Sequence, residues 1–371
     1  MLNDSYSPYL DINHKSAQGL PMKIQKSNYG TLKDGHSVEL FKLSNSNGLS
    51  AKITNLGGII VSLKTPDKNG ILEDIALGKA SLEGYLQGHP FFGALTGRVA
   101  GRIGGAQFEI GGQNYKLEKT DPPNCLHGGL DGWDKQIWEA SIIEEAGIEK
   151  LQLKYQDAAG HNNFPGTVQA TVCYGLLEDN SLEITYRAES DHKTPFNPTN
   201  HCYFNLNGEA SGSIQTHCVQ ISASKVALTD DDMTLNGQKA EVSSGLNDFR
   251  NPIKLGNINE LTHRNADTHY FLEGGRTEQP RLVASVYDAT SGRELKLLTT
   301  EPGVQFYAAI NLSKDTPDLG KDNQPYKTYG AFCLETQDYP DSIHFPELGS
   351  AILSPGEDYY SRTLFNLSVR N

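Results

Sequence analysis

Short strand-prone runs closed by glycine-bearing turns recur along this chain, and helical periodicity is nearly absent from it. That combination constrains the fold more than any other feature. A side-chain period of two calls for sheet, and close-set turns make neighbouring strands antiparallel. Gln107-Phe108-Glu109-Ile110 and Gln113-Asn114-Tyr115-Lys116-Leu117 flank Gly111-Gly112, a two-residue hairpin signature. Residues 172–177 and 182–186 flank Glu178-Asp179-Asn180-Ser181, and residues 282–287 and 294–298 flank a turn containing Ser291-Gly292. A late pair, 351–353 with 363–369, is expected around Pro355-Gly356. Helix is expected only as a turn or two at 81–86 and at 255–261. The 37 glycines suit a chain that turns often. No βαβ alternation is present, which excludes a parallel doubly wound sheet. The expectation is an all-β fold, one large antiparallel β-sandwich with long functional loops.

Neither an internal repeat nor a low-complexity linker divides the 371 residues. The chain therefore reads as a polar, loose leader over residues 1–28 and a single domain over 29–371. A net charge of -13 argues against a nucleic-acid groove or an anionic membrane surface, and suits action on a neutral small molecule. No apolar stretch approaches the roughly 18 residues that span a bilayer. Residues 1–15 contain no apolar run and do not form a secretory signal. The five cysteines are odd in number and scattered, the pattern of reduced thiols in a cytoplasm. Either a monomer or a homodimer is expected.

Four segments carry candidate chemistry. In Thr199-Asn200-His201-Cys202-Tyr203-Phe204-Asn205-Leu206 a histidine sits between a polar pair and a β-prone aromatic run, at a strand edge. Its imidazole can exchange a proton near neutral pH, although a lone histidine there is more often structural. Asn124-Cys125-Leu126-His127-Gly128-Gly129 follows Pro122-Pro123, so His127 belongs to a shaped loop. In Phe332-Cys333-Leu334-Glu335-Thr336-Gln337 a strand that turns Leu334 inward projects Glu335 to the opposite face. The plainer alternative is a solvent-facing glutamate. Gly97-Arg98-Val99-Ala100-Gly101-Arg102-Ile103 sets two arginines four apart, available for sugar hydroxyls or carboxylates, or simply ion-paired. Its glycines match neither a dinucleotide fingerprint nor a phosphate loop. Cys125-x-His127, His201-Cys202 and His217-Cys218 lack zinc-site spacing, Asp230-Asp231-Asp232 lacks the calcium-loop pattern, and a required metal is not expected. There is no G-x-S-x-G elbow for a serine hydrolase.

Taken in order, these segments resemble the aldose 1-epimerases, the galactose mutarotase family. The resemblance runs from about Tyr29 to Val369. It also takes in Asn55-Leu56-Gly57-Gly58, Leu82-Glu83-Gly84-Tyr85, Phe92-Gly93-Ala94, Phe164-Pro165-Gly166, Pro302-Gly303-Val304-Gln305-Phe306-Tyr307 and Ser354-Pro355-Gly356-Glu357. It implies a large antiparallel β-sandwich, Glu335 as general base and His201 as general acid. It further implies that Arg102, His127, Asp267 and Gln305 hold the sugar hydroxyls. For Asp267, in Asn265-Ala266-Asp267-Thr268-His269, the residues alone suggest a turn aspartate, so its role rests on the resemblance. Three positions depart from the family pattern: Gly101 replaces a common asparagine, Cys202 a common serine and Phe164 a common tyrosine.

The implied reaction interconverts α and β anomers of free aldohexoses of the glucose and galactose class. A base removes the C1 hydroxyl proton as an acid protonates the ring oxygen. The open aldehyde rotates, and closure reverses the roles. With no redox change or group transfer, no cofactor is expected. The competing readings are a hexose-6-phosphate 1-epimerase, which calls for extra cations at the cleft, and a non-catalytic sugar-binding protein.

Overall fold

The computed structural model describes residues 23–242, 247–256, 266–313 and 317–370. Its largest element is a nine-stranded antiparallel sheet. In spatial order the strands are Glu139–Glu145, Ile148–Asp157, Val168–Leu176, Ser181–Ser190, Tyr359–Val369, Arg293–Thr299, Arg281–Asp288, His217–Ile221 and Ile253–Lys254. A five-stranded meander occupies Gln25–Thr31, Ser37–Ser44, Ser50–Thr54, Ile60–Pro66 and Leu72–Asp74. A second five-stranded sheet runs Leu235–Glu241, Lys225–Thr229, Asp267–Phe271, Gly303–Tyr307 and Cys333–Gln337. One hydrophobic core joins all three, with Leu153, Ile184, Leu297 and Phe365 from the large sheet, Phe41 and Ile60 from the meander, and Val304 and Phe306 from the last. This is the expected antiparallel β-sandwich.

Local turn chemistry decided the hairpins. Gly111 and Gly112 adopt φ of 62° and 79°, and their flanking strands pair from Gln107↔Lys116 to Ile110↔Gln113. Residues with φ in that range pay no steric penalty when they are glycine, and two in succession match the twist of a tight hairpin. The hairpins around 178–181 and 291–292 also form, joining Val168–Leu176 to Ser181–Ser190 and Arg281–Asp288 to Arg293–Thr299. Leu82–Leu86 forms a single α-helical turn, capped by the Ser81 hydroxyl. The expected turn at 255–261 lies mostly outside the described residues.

Two expectations require correction. The late strands do not pair with each other. Ile352–Leu353 pairs with Thr194–Pro195, whereas Tyr359–Val369 runs between Ser181–Ser190 and Arg293–Thr299 at the centre of the large sheet. Both partners of the last strand are distant in sequence, so no turn signal announces them. The expected leader boundary at residue 28 falls inside the edge strand Gln25–Thr31. Gln25 to Asn28 are exposed there, and an edge strand of exposed polar residues has the composition of a loose segment.

Candidate active site

The site is built on the second five-stranded sheet, whose alternation separates core from cavity. In Gly303–Tyr307, Val304 and Phe306 enter the core while Gln305 and Tyr307 line the cavity. Cross-strand register then aligns the functional side chains. His269 lies opposite Gln305, and Gln305 opposite Glu335. Asp267 lies opposite Tyr307. Side chains on one face of paired strands sit about 5 Å apart, so this register alone assembles one wall of the cavity. Gln305 Nε2 donates to Asp267 Oδ1 over 2.6 Å, fixing both polar groups against that wall.

Glu335 is 3 % exposed, which removes the plain alternative of a solvent-facing glutamate. Its strand is covered at one edge by Gly303–Tyr307 and tied at the other by the Thr199 hydroxyl, which donates to the Thr336 carbonyl over 2.9 Å. Burial, seconded by the negative charge of Asp267, pushes the Glu335 carboxyl well above the usual carboxylate range.

His201 approaches from outside that sheet. Its N–H donates to the Ala94 carbonyl and its own carbonyl accepts from Gly93 N–H. The adjoining Thr199–Asn200 pairs with Leu95–Thr96, and the Asn200 amide donates to the Gly93 carbonyl. The imidazole is stacked near Tyr203 and Phe91, with ring centres 4.9 and 5.9 Å away. Its Nε2 lies 3.5 Å from Glu335 Oε1. Burial lowers its pKa to about 4.

The loop bearing His127 is anchored by Arg102–Ile103, which pairs with Cys125–Leu126. His127 N–H donates to the Gly101 carbonyl, and Gly101 N–H donates to His127 Nδ1 over 3.2 Å. Because Nδ1 accepts, the neutral ring carries its proton on Nε2. Burial keeps His127 neutral, with its pKa well below 6.5. Gly128 is required beside it: a Cβ there would lie 2.0 Å from the Gly97 carbonyl oxygen. Gly101 has φ of 76°, a backbone that glycine and asparagine tolerate best. Arg102 Nε donates to Asp121 Oδ2 over 2.6 Å while its residue borders the cavity.

All six site residues picked out by sequence, Arg102, His127, His201, Asp267, Gln305 and Glu335, line this one cavity. Arg98 does not. It is 1 % exposed, ion-paired with Asp157 at 3.0 Å, and donates to the carbonyls of Pro165 and Gly166. Asp157 also accepts from Trp133 Nε1, so the pair braces the framework behind the site. Sequence reasoning missed Tyr203, His269, Tyr307 and Gln337, which also line the cavity. Each lies two residues beyond a recognised one, and for His269, Tyr307 and Gln337, which lie on strands, the strand period was the signal that marks them. Asp230 to Asp232 form the expected turn: Met233 N–H donates to the Asp230 carbonyl, and Thr234 N–H to the Asp232 carboxylate.

Fold and site together define a β-sandwich protein with a buried carboxylate–imidazole pair facing a cavity of mixed polar and apolar lining. A model of the family described as aldose 1-epimerase matches residues 39–366. The chain is 38 % identical to human galactose mutarotase over 347 residues, covering 93 % of this chain and 99 % of the relative. It is 33 % identical to an aldose 1-epimerase of Escherichia coli, covering 89 % of this chain and 95 % of that one. Among solved structures, an aldose epimerase homologue from C. elegans superposes with a TM-score of 0.81 at 25 % identity, covering 90 % of this chain and 99 % of that one. The chain belongs to the aldose 1-epimerase family, and it is an isomerase.

Proposed function

We propose that the protein interconverts the α and β anomers of free aldohexoses of the glucose and galactose class, with Glu335 and His201 as the proton-transferring pair. The observation that carries this reading is the 3.5 Å approach of His201 Nε2 to Glu335 Oε1, both buried in the wall of one cavity. Burial favours the neutral form of each group, so the one proton the pair shares rests on the carboxyl rather than on the imidazole. Moving that proton from carboxyl to imidazole creates the reactive pair, a carboxylate for the C1 hydroxyl and an imidazolium for the ring oxygen. Ring opening then returns both groups to their neutral forms. The low-polarity surroundings thereby favour the open-chain complex relative to the charged pair that precedes it.

Arg102, His127, Asp267 and Gln305 hold the sugar hydroxyls in this reading. His127 offers an Nε2–H donor, and Asp267 and Gln305 offer a linked acceptor–donor pair. Arg102 is the sole Lys or Arg among the described cavity residues, and Asp121 already balances it. That favours an uncharged sugar over a sugar phosphate. The reaction needs no cofactor. The described cysteines are unbridged, in keeping with a reducing cytoplasm, and no helix among the described residues is long and apolar enough to cross a membrane.

Polarimetry of freshly dissolved α-D-glucose, α-D-galactose and a hexose 6-phosphate tests the reading. Acceleration with the free sugars is expected. A rate equal to that of buffer with both free sugars would refute it.

A further inference from the structure

We propose that His201, Cys333 and Glu335 form a binding site for a divalent cation of the zinc class, and that an ion held there closes the site to sugar. Each residue offers one ligand atom, and these three atoms lie within 4.8 Å of one another. All three residues are buried, at 5 %, 0 % and 3 % exposure. Cys333 Sγ is 3.6 Å from His201 Nδ1. A tetrahedral zinc ion, with bonds of about 2.0 Å to nitrogen and 2.3 Å to sulfur, sets such a pair about 3.5 Å apart. Glu335 Oε1 is 3.5 Å from the other ring nitrogen, Nε2, and the carboxylate completes the set of three ligand atoms within 4.8 Å of one another.

The donor set indicates which ion fits. Nitrogen, sulfur and oxygen together suit zinc and its neighbours, whereas calcium and magnesium take oxygen shells. Binding forms a metal–thiolate and a metal–carboxylate bond and releases two protons to solvent, the thiol's and the one held by the Glu335–His201 pair. His201 and Glu335 line the cavity, which gives water a route to a fourth position. Cys333 has no part in moving the sugar's protons, so the anomer chemistry does not explain a thiol at this spot. The metal site rests on geometry alone, while its effect on turnover rests on the function proposed above, because the ion occupies both proton-carrying groups.

The test uses the full chain, titrated with Cd²⁺ or Co²⁺ and followed by thiolate-to-metal charge-transfer absorption. Inhibition of mutarotation by Zn²⁺ is measured in parallel. One ion per chain is expected to give the band in the native protein. Cys333→Ala, and the volume-conserving Cys333→Ser, should lose the band and raise the inhibiting Zn²⁺ concentration more than about tenfold, since even outer partners of a metal ligand are worth that much. No band in the native protein, or an equal band in both variants, would overturn the site. The band is read without turnover, so a protein that binds the metal but does not mutarotate refutes only the proposed function.

Discussion

Lowering the pH from about 6.5 to about 5 should destabilise the folded protein through its buried histidines. His201, His217 and His269 are 5 %, 0 % and 1 % exposed, and burial holds their pKa values at about 4, 4 and 3. In the unfolded chain each returns to about 6.5. Below that value the unfolded state binds protons that the folded state does not, so stability falls as the pH drops toward the folded values. His217 shows why the fold resists protonation: its Nε2 accepts from Leu206 N–H over 3.0 Å, and a protonated ring has no acceptor to offer. Each histidine costs slightly more than about 1 kcal/mol per pH unit, so the three together remove roughly 5 kcal/mol over this interval.

Glu335 acts in the opposite sense. Its folded pKa is raised, so the stability it contributes is complete below the unfolded value and is lost as the pH rises through the folded one. Over the same interval it offsets roughly 2 kcal/mol at most. These three histidines less the Glu335 offset leave a loss of roughly 3 kcal/mol. His89 and His127, also lowered by burial, add to it, and His161 and His344, raised by their aspartate partners, subtract from it. A loss of roughly 3 kcal/mol is a large share of the 5–15 kcal/mol typical of a folded protein. For a cooperative unit of this length it lowers Tm by about 4 °C. Circular dichroism melts at the two pH values, at equal ionic strength, measure the shift, and nitrogen NMR of the imidazole rings measures its source. An unchanged Tm, or three rings titrating near 6.5, would refute the reasoning.

Glu335→Gln and His201→Asn should each slow mutarotation by about 10²- to 10⁴-fold while the protein stays folded, as polarimetry and circular dichroism will show. Near-native rates in both would move the proton transfers to other residues. Asp157→Asn leaves the buried Arg98 guanidinium without its counter-charge and should cost about 3–5 kcal/mol in urea unfolding. A midpoint equal to that of the native protein would show that the carbonyls around Arg98 suffice without the carboxylate.

Hairpin strands were legible because the information for them is local. A period of two and a pair of glycines specify both strands and their register, as at Gly111-Gly112. The strand Tyr359–Val369 was legible as a strand but not in its pairing, since its neighbours begin at residues 181 and 293. The leader boundary failed for a related reason: Gln25–Thr31 is held by cross-strand bonds to Ser37–Ser44 and not by apolar composition of its own. Arg98 and Arg102 shared one motif, and only the fold sent one to Asp157 and the other to the cavity.

The sequence by itself determined the class of fold, the alternation that puts Glu335 on the face opposite Leu334, and four residues that reach the cavity, Arg102, His127, His201 and Glu335, while Asp267 and Gln305 were implied by the family resemblance. Tertiary structure alone decided that Glu335 and His201 come within 3.5 Å from elements 134 residues apart in the chain, with Cys333 beside them. It also decided their protonation. Side-chain type sets where a group titrates in water, but the low-polarity surroundings that raise Glu335 and lower His201 come from neighbours many strands away.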